Sequence, residues 1–188
     1  MLRGNNILLR TMREADLDAV FESLAEISNR GDYFPVKIPC EPAFKKGYHD
    51  GKFWSEESGF LLIQNAAGSV IGHIEFYKPV SYLDSFELSY LLYEAAERGK
   101  GVVTEAVRLL SGHLFDTRKL NRLQLVIHPG NAASRRIAEK NGFAHEGTMR
   151  GAWYHRGCYH DVEVYARLRN PSPIIPLPQE EREEWQGI

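Results

Sequence analysis

Phe86-Glu87-Leu88-Ser89-Tyr90-Leu91-Leu92, and shortly after it Arg98-Gly99-Lys100-Gly101-Val102-Val103-Thr104-Glu105-Ala106, form the stretch on which the reading of this chain turns. The first run reads as a strand. The second is glycine-flanked and basic and opens a helix to about Phe115, with Val103, Ala106, Val107, Leu110 and Leu114 on its inner face. A strand that ends in glycines and starts a helix at once exposes a row of backbone N–H groups beside a positive helix terminus. That is a receptor for phosphate or pyrophosphate. Arg98 and Lys100 add cationic charge at the same place. The segment matches neither the P-loop pattern nor the GxGxxG fingerprint, which points away from a nucleotide triphosphatase and a dinucleotide enzyme.

Upstream, Ile7 to Arg10 reads as a strand and Thr11-Met12-Arg13-Glu14 has the form of a capping box, with Leu17, Val20, Phe21 and Leu24 following at helical spacing. A loop rich in proline and aromatics follows from Asn29, with a short helix expected around Ala43 to Trp54. Phe60 to Gln64 and Val70 to Tyr77 read as strands joined at Ala66-Ala67-Gly68, and Phe86 to Leu92 completes an antiparallel meander. Downstream, Arg122 to Ile127 is a strand and Asn131 to Lys140 a helix closed by Asn141-Gly142. Phe143 to Arg150 and Tyr159 to Leu168 are the last two strands. The order β-α-α-β-β-β-α-β-α-β-β is that of an α+β domain with a mixed, mostly antiparallel sheet flanked by helices. Residues 1–169 are read as that single domain and 170–188 as a Pro-rich acidic tail in which Trp185 is a candidate anchor.

The chain's 188 residues suffice for one well-buried core. Lys plus Arg is 23 against 25 Asp plus Glu, a formal net charge of −2, so no global pull on nucleic acid or an anionic membrane is expected. The two cysteines, Cys40 and Cys158, are far apart and read as reduced thiols. Met1 to Asn6 shows no apolar leader region and no apolar run is long enough to span a bilayer, so the expected location is cytoplasmic.

A second motif stands downstream: Asn131-Ala132-Ala133-Ser134-Arg135-Arg136-Ile137-Ala138-Glu139-Lys140-Asn141-Gly142-Phe143, then Glu146-Gly147, Arg150, Gly157 and Asp161. With both motifs in order, the chain resembles the GNAT N-acetyltransferase superfamily, most closely its ribosomal-protein-alanine N-acetyltransferase branch, over residues 5 to 169. The resemblance implies a splayed central strand pair that binds acyl-CoA. Arg98, Gly99, Lys100, Gly101, Val102 and Val103 would occupy the family's pyrophosphate loop, with Val103 where glycine or alanine is usual, and Thr104 would offer its hydroxyl to a phosphate oxygen. The strand bearing Tyr90, Leu91 and Leu92 would pair its backbone with the pantetheine arm. Asn131 would bind the cofactor from the other side and Ser134 would lie near its sulfur. The cosubstrate implied is acetyl-CoA, with no metal.

Amide formation from an amine that is mostly protonated at neutral pH needs a proton acceptor. Glu87 matches the position where many GNAT enzymes place their base, its apolar neighbours Phe86 and Leu88 being able to raise its pKa, and Glu75 is a second candidate acting through water. An oxyanion needs a donor, for which the backbone N–H of Leu91 or Leu92 is suited. Ser134 is cast as a hydrogen-bond donor that relays a proton to the departing thiolate. Tyr33, Phe34, Trp153 and Tyr154 are the residues expected at the acceptor, and Arg135 or Arg136 at the CoA phosphates. His155 to His160 looks superficially like a metal cluster but falls in a turn between strands. His73 and His128 read as ordinary polar residues. The expected activity is direct acetyl transfer in a ternary complex to a primary amine, whether a protein or peptide α-amine or a small amine such as an amino acid, amino sugar, polyamine or antibiotic. A non-catalytic acyl-CoA-binding module is the alternative of another class. A monomer and a homodimer are equally compatible with the sequence.

Overall fold

The computed structural model describes residues 1–169; the acidic arm over 170–188, with Trp185, lies outside the described residues. The strands are β1 (Leu2–Arg3), β2 (Ile7–Thr11), β3 (Ser58–Asn65), β4 (Val70–Tyr77), β5 (Ser85–Leu92), β6 (Arg122–Ile127), β7 (Ala144–His155) and β8 (Cys158–Leu168). The helices are α1 (Leu17–Ala25), α2 (Glu41–His49), α3 (Val102–Thr117) and α4 (Ala132–Lys140). The strands form one eight-stranded sheet in the order β1-β2-β3-β4-β5-β6-β8-β7. Every neighbouring pair is antiparallel except β5 and β6, which run parallel because α3 carries the chain back across the sheet.

Both faces of the sheet are covered. On one, Val103, Ala106, Val107, Leu110 and Leu114 of α3 pack onto Leu9, Ile63, Ile74, Leu88 and Leu123, the periodic stripe expected of this helix. On the other, Leu17 and Val20 of α1 pack onto Phe60, Leu62 and Leu91, with Phe44 and Phe53 closing over them. Each fully buried Leu, Ile or Phe contributes about 1.5–3 kcal/mol.

Several boundaries differ from those expected, three of them for a plain physical reason. Thr11 does not open a capping box, because its backbone is committed to the sheet opposite Leu61. The entry to α1 is set instead by Asp16, which accepts the Arg13 N–H at 2.8 Å and both terminal nitrogens of buried Arg10 at 2.6 and 2.8 Å. The second helix starts earlier, with Pro42 in its first turn, and ends at His49 before Gly51 turns the chain at φ 73°. Strand β7 runs on to His155. It joins β8 through Arg156 and Gly157 at φ 49° and 86°, a type I′ hairpin.

The sheet opens at its centre. Strands β5 and β6 pair only at Ser85 with Arg122, Phe86 with Leu123 and Glu87 with Gln124. From Leu88 onward β5 stays on β4 as far as Leu92, while β6 stays on β8 as far as Ile127, so the two strands part. Among the described residues no helix is long and apolar enough to cross a membrane.

Candidate active site

Two cavities meet at this parting. One, about 560 Å³, lies at the start of α3 and α4; the other, about 460 Å³, lies on the side of Glu87 and β7. Tyr33, Phe34, Tyr90, Asn131 and Ser134 border both.

The first cavity is bordered by Arg98, Gly99, Gly101, Val102, Val103 and Thr104. Gly99 and Gly101 hold φ of 77° and 79°, and Gly101 caps α3 in the left-handed region, which a side chain would strain. The first N–H groups of α3 have no carbonyl within the helix and open toward this cavity. Val103 does not crowd the loop, since its side chain is buried in the core. Lys100 is not among the lining residues; its ammonium pairs with Glu97 at 3.2 Å. The Arg98 guanidinium donates to the Asn29 carbonyl at 2.6 Å and so ties the loop before α3 to the segment carrying Tyr33 and Phe34. Arg136 and Lys140 border the cavity along α4, whereas Arg135 does not. This set of N–H donors and cations fits a polyphosphate.

Register decides which backbone groups face the gap. Tyr93 N–H donates to Ile71 C=O at 3.0 Å, and β4 and β5 stay in unbroken register from Gly72–Leu92 to Tyr77–Glu87. Antiparallel alternation therefore turns Leu91 toward β4 and leaves the amides of Tyr90 and Leu92 facing the parted strand. Of the two expected oxyanion donors, Leu92 is the one so aimed.

Glu87 borders the second cavity with both carboxylate oxygens held: Tyr77 Oη donates to one at 2.6 Å and Gln124 Nε2 to the other at 2.9 Å. Tyr77 and Gln124 are its direct cross-strand neighbours, so nothing in the linear sequence marks them. Burial, reinforced by Glu87, raises the Tyr77 phenol and keeps it a donor. Glu75 borders neither cavity; burial pushes its carboxyl up, against the Ser89 hydroxyl, which favours ionisation.

Of the aromatics expected at the acceptor, Tyr33, Phe34 and Trp153 border this cavity, while Tyr154 points away and packs on Tyr159. Trp153 reaches it because β7 bulges between Met149 and Trp153, where Gly151 sits at φ 57° with its N–H on Asp161. His128, read from sequence as unremarkable, forms part of the wall. Tyr33 stacks on it at 4.9 Å, and its Nδ1 accepts the Gly130 N–H at 3.0 Å. That acceptance puts the ring proton on Nε2, 3.4 Å from His160 Nδ1, and His160 Nε2 then faces the His155 carbonyl at 3.3 Å. Burial, then His160 and His155, hold the His128 pKa below its usual value.

Ser134 N–H is capped by Asn131 Oδ1 at 3.1 Å, so the Asn131 side chain starts α4 at the place where the cavities join. Cys40 and Cys158 are free and exposed and border neither cavity. Among the described residues no group of three or more His, Cys, Asp or Glu is placed to hold a metal ion.

Residues 6–144 match the family model described as acetyltransferase (GNAT) domain. The chain belongs to the GNAT acetyltransferase family. Probable N-acetyltransferase YjcK of Bacillus subtilis (strain 168) is 29% identical over 182 residues, spanning 91% of this chain and 98% of YjcK. Among solved structures, RimL, a ribosomal L7/L12 alpha-N-protein acetyltransferase in complex with coenzyme A, superposes with a TM-score of 0.74 at 21% identity, over 88% of this chain and 95% of RimL. Spermidine N-acetyltransferase from Vibrio cholerae, in complex with CoA and spermine, superposes with a TM-score of 0.74 at 19% identity, over 88% and 97% of the two chains. This GNAT protein is an acyl-CoA-dependent N-acetyltransferase whose cosubstrate is acetyl-CoA.

Proposed function

We propose that this GNAT enzyme acetylates the α-amine of a protein or peptide by direct attack in a ternary complex. One observation carries the reading: two cavities meet across the parted β5 and β6, one bordered by the phosphate loop and the other by Glu87. Acetyl-CoA lies in the first with its pyrophosphate on the amides from Gly99 to Thr104, and the acceptor enters through the second. Acetyl-CoA supplies an activated acyl carbon. Glu87, oriented by Tyr77 and Gln124, takes the amine proton on a lone pair those donors leave free. The Leu92 N–H steadies the carbonyl oxygen, and Ser134 donates toward the departing sulfur.

The walls of the second cavity favour a monoamine over a polyamine. Glu87 is the only carboxylate among its described lining residues, and a chain of several ammonium groups needs more. Aromatic rings and a neutral histidine suit the first side chains of a peptide. The cytoplasmic location read from the sequence belongs to the same proposal, in keeping with two exposed free thiols.

Thiol release from acetyl-CoA, measured across peptides of varied first residue, amino acids, polyamines and aminoglycosides, tests the acceptor class. Release with peptides alone is the expected result; release with polyamines alone rejects the α-amine reading. In the same assay Glu87→Gln lowers kcat by roughly 10²- to 10⁴-fold with acetyl-CoA affinity retained, and the defect shrinks as pH rises and free amine becomes abundant. An unchanged rate removes Glu87 from the mechanism and transfers the role to Glu75 or solvent.

A further inference from the structure

The second cavity has an apolar far end that proton transfer at Glu87 does not require. Gln124 bonds Glu87, so both point to one face of the sheet, and Val126 follows two residues on along β6. Val126 pairs with Val164 of β8, Val162 lies two residues from Val164, and Val162 pairs with Met149 of β7. Val126, Val162 and Met149 therefore share the face of Glu87. Trp153 joins them from beyond the bulge in β7, and all four border the cavity. Met149 is 43% exposed and Trp153 half-buried, so together they leave an open apolar surface. The backbone is bent to make it: Gly151 takes φ 57° and gives its N–H to Asp161 at 2.8 Å, which fixes the bulge that turns Trp153 inward. No lysine or arginine stands among the described lining residues, and burial holds His128 below its usual pKa.

We propose that this end of the cavity receives a large apolar first side chain of the acceptor, of the leucine, methionine or phenylalanine kind, and that the acceptor's first carboxyl is in amide form. The assignment rests on the α-amine reading given above. Same-face neighbours along a strand stand about 6–7 Å apart, so an amine at Glu87 brings its own α-carbon near Val126. A side chain of leucine length then reaches Met149 and Trp153, whereas that of alanine or serine stops short and leaves the apolar surface wet. Met149, an unbranched thioether, adapts to branched, linear and aromatic shapes alike. An acidic first residue, or the carboxylate of a free amino acid, would sit beside Glu87 with no cation to balance it. A lysine would need a carboxylate at the far end, where none of the described lining residues supplies one.

Peptides alike beyond their first residue test it in the thiol-release assay. With leucine, methionine or phenylalanine first, kcat/KM should exceed that with alanine, serine, aspartate or lysine first by about 10- to 100-fold. Leucinamide should exceed free leucine by about 10-fold or more. Trp153→Ala should bring the leucine-to-alanine ratio down by about 10-fold. Met149→Trp, a change at an exposed position of an edge strand, should lower the same ratio by filling the space. Loss of folded enzyme scales both peptides alike and leaves their ratio where it was. Alanine-first or serine-first peptides used as well as leucine-first ones overturn the proposal, and so does a ratio that neither variant moves. Equal use of leucine and leucinamide overturns the requirement for an amide. If polyamines react and no peptide does, the α-amine reading fails and this inference with it. Peptides acetylated without regard to their first residue reject this inference alone.

Discussion

At the scale of single residues, the fold settles the ionisation of buried groups in advance. His73, which lies on the Glu75 strand, is the clearest case. It is 2% exposed, stacked on Phe60 at 4.4 Å and 3.2 Å from the Tyr93 hydroxyl, and burial, with Arg30 nearby, pushes its pKa down to about 3. The unfolded chain takes up this proton near 6.5 and the folded one does not, so the unfolded state binds more protons between those values. Stability attributable to His73 is complete above pH 6.5 and is lost as pH falls from there toward 3, by at most about 1.4 kcal/mol per pH unit. Urea denaturation at pH 7, 5 and 4 should show the parent protein losing stability faster than His73→Gln; parallel curves would show that the ring is not kept neutral.

At the scale of elements, the turn into α3 does the most with the fewest residues. Gly101 is required by its φ of 79°, not by space, since a Cβ there would meet nothing within 4 Å. Gly101→Ala therefore strains the backbone by about 1–2 kcal/mol. For a chain of this size that is a drop of several degrees in thermal midpoint, ~2–4 °C for each kcal/mol. Because the strain relaxes by tilting the first amides of α3, affinity for CoA should fall about 10-fold in calorimetry. A lower midpoint with unchanged affinity would show that those amides do not hold the phosphates. Elements with strong local patterns were legible: β4 and β6 have the ends read from their sequence, and α3 buries the stripe its spacing indicated. Strand β7 was read short because it is an edge strand, mostly exposed, and carries no alternation to mark it. Its bulge at Gly151, invisible as a pattern, is what turns Trp153 into the cavity.

At the scale of the whole molecule, Arg98 joins two parts of the site that are remote in sequence. Its guanidinium holds the Asn29 carbonyl, while buried Arg30 binds the carbonyls of Leu24 and Pro35. The segment from Arg30 to Phe34 is thereby fixed over the point where the two cavities meet, with Tyr33 and Phe34 facing both. Arg98→Ala should raise KM for the acceptor as well as for acetyl-CoA, each several-fold, and hydrogen exchange over residues 29–34 should quicken. A change confined to acetyl-CoA would show that Arg98 acts on the cofactor alone.

The sequence by itself determined the mixed sheet with its helices and the glycine-flanked basic turn into α3, and the resemblance of its two motifs to a family put forward Glu87 and Ser134 as candidates. The elements and the turn follow from contiguous patterns, namely periodicity and glycines before a helix, which arise from forces acting between near neighbours. Only the tertiary structure decided that Leu92 rather than Leu91 faces the gap, that Tyr77 and Gln124 hold Glu87, and that Lys100 and Tyr154 border neither cavity. Strand register and the parting of β5 from β6 set those outcomes, and both arise from packing between residues distant in the chain, which leaves no mark on a local stretch of sequence.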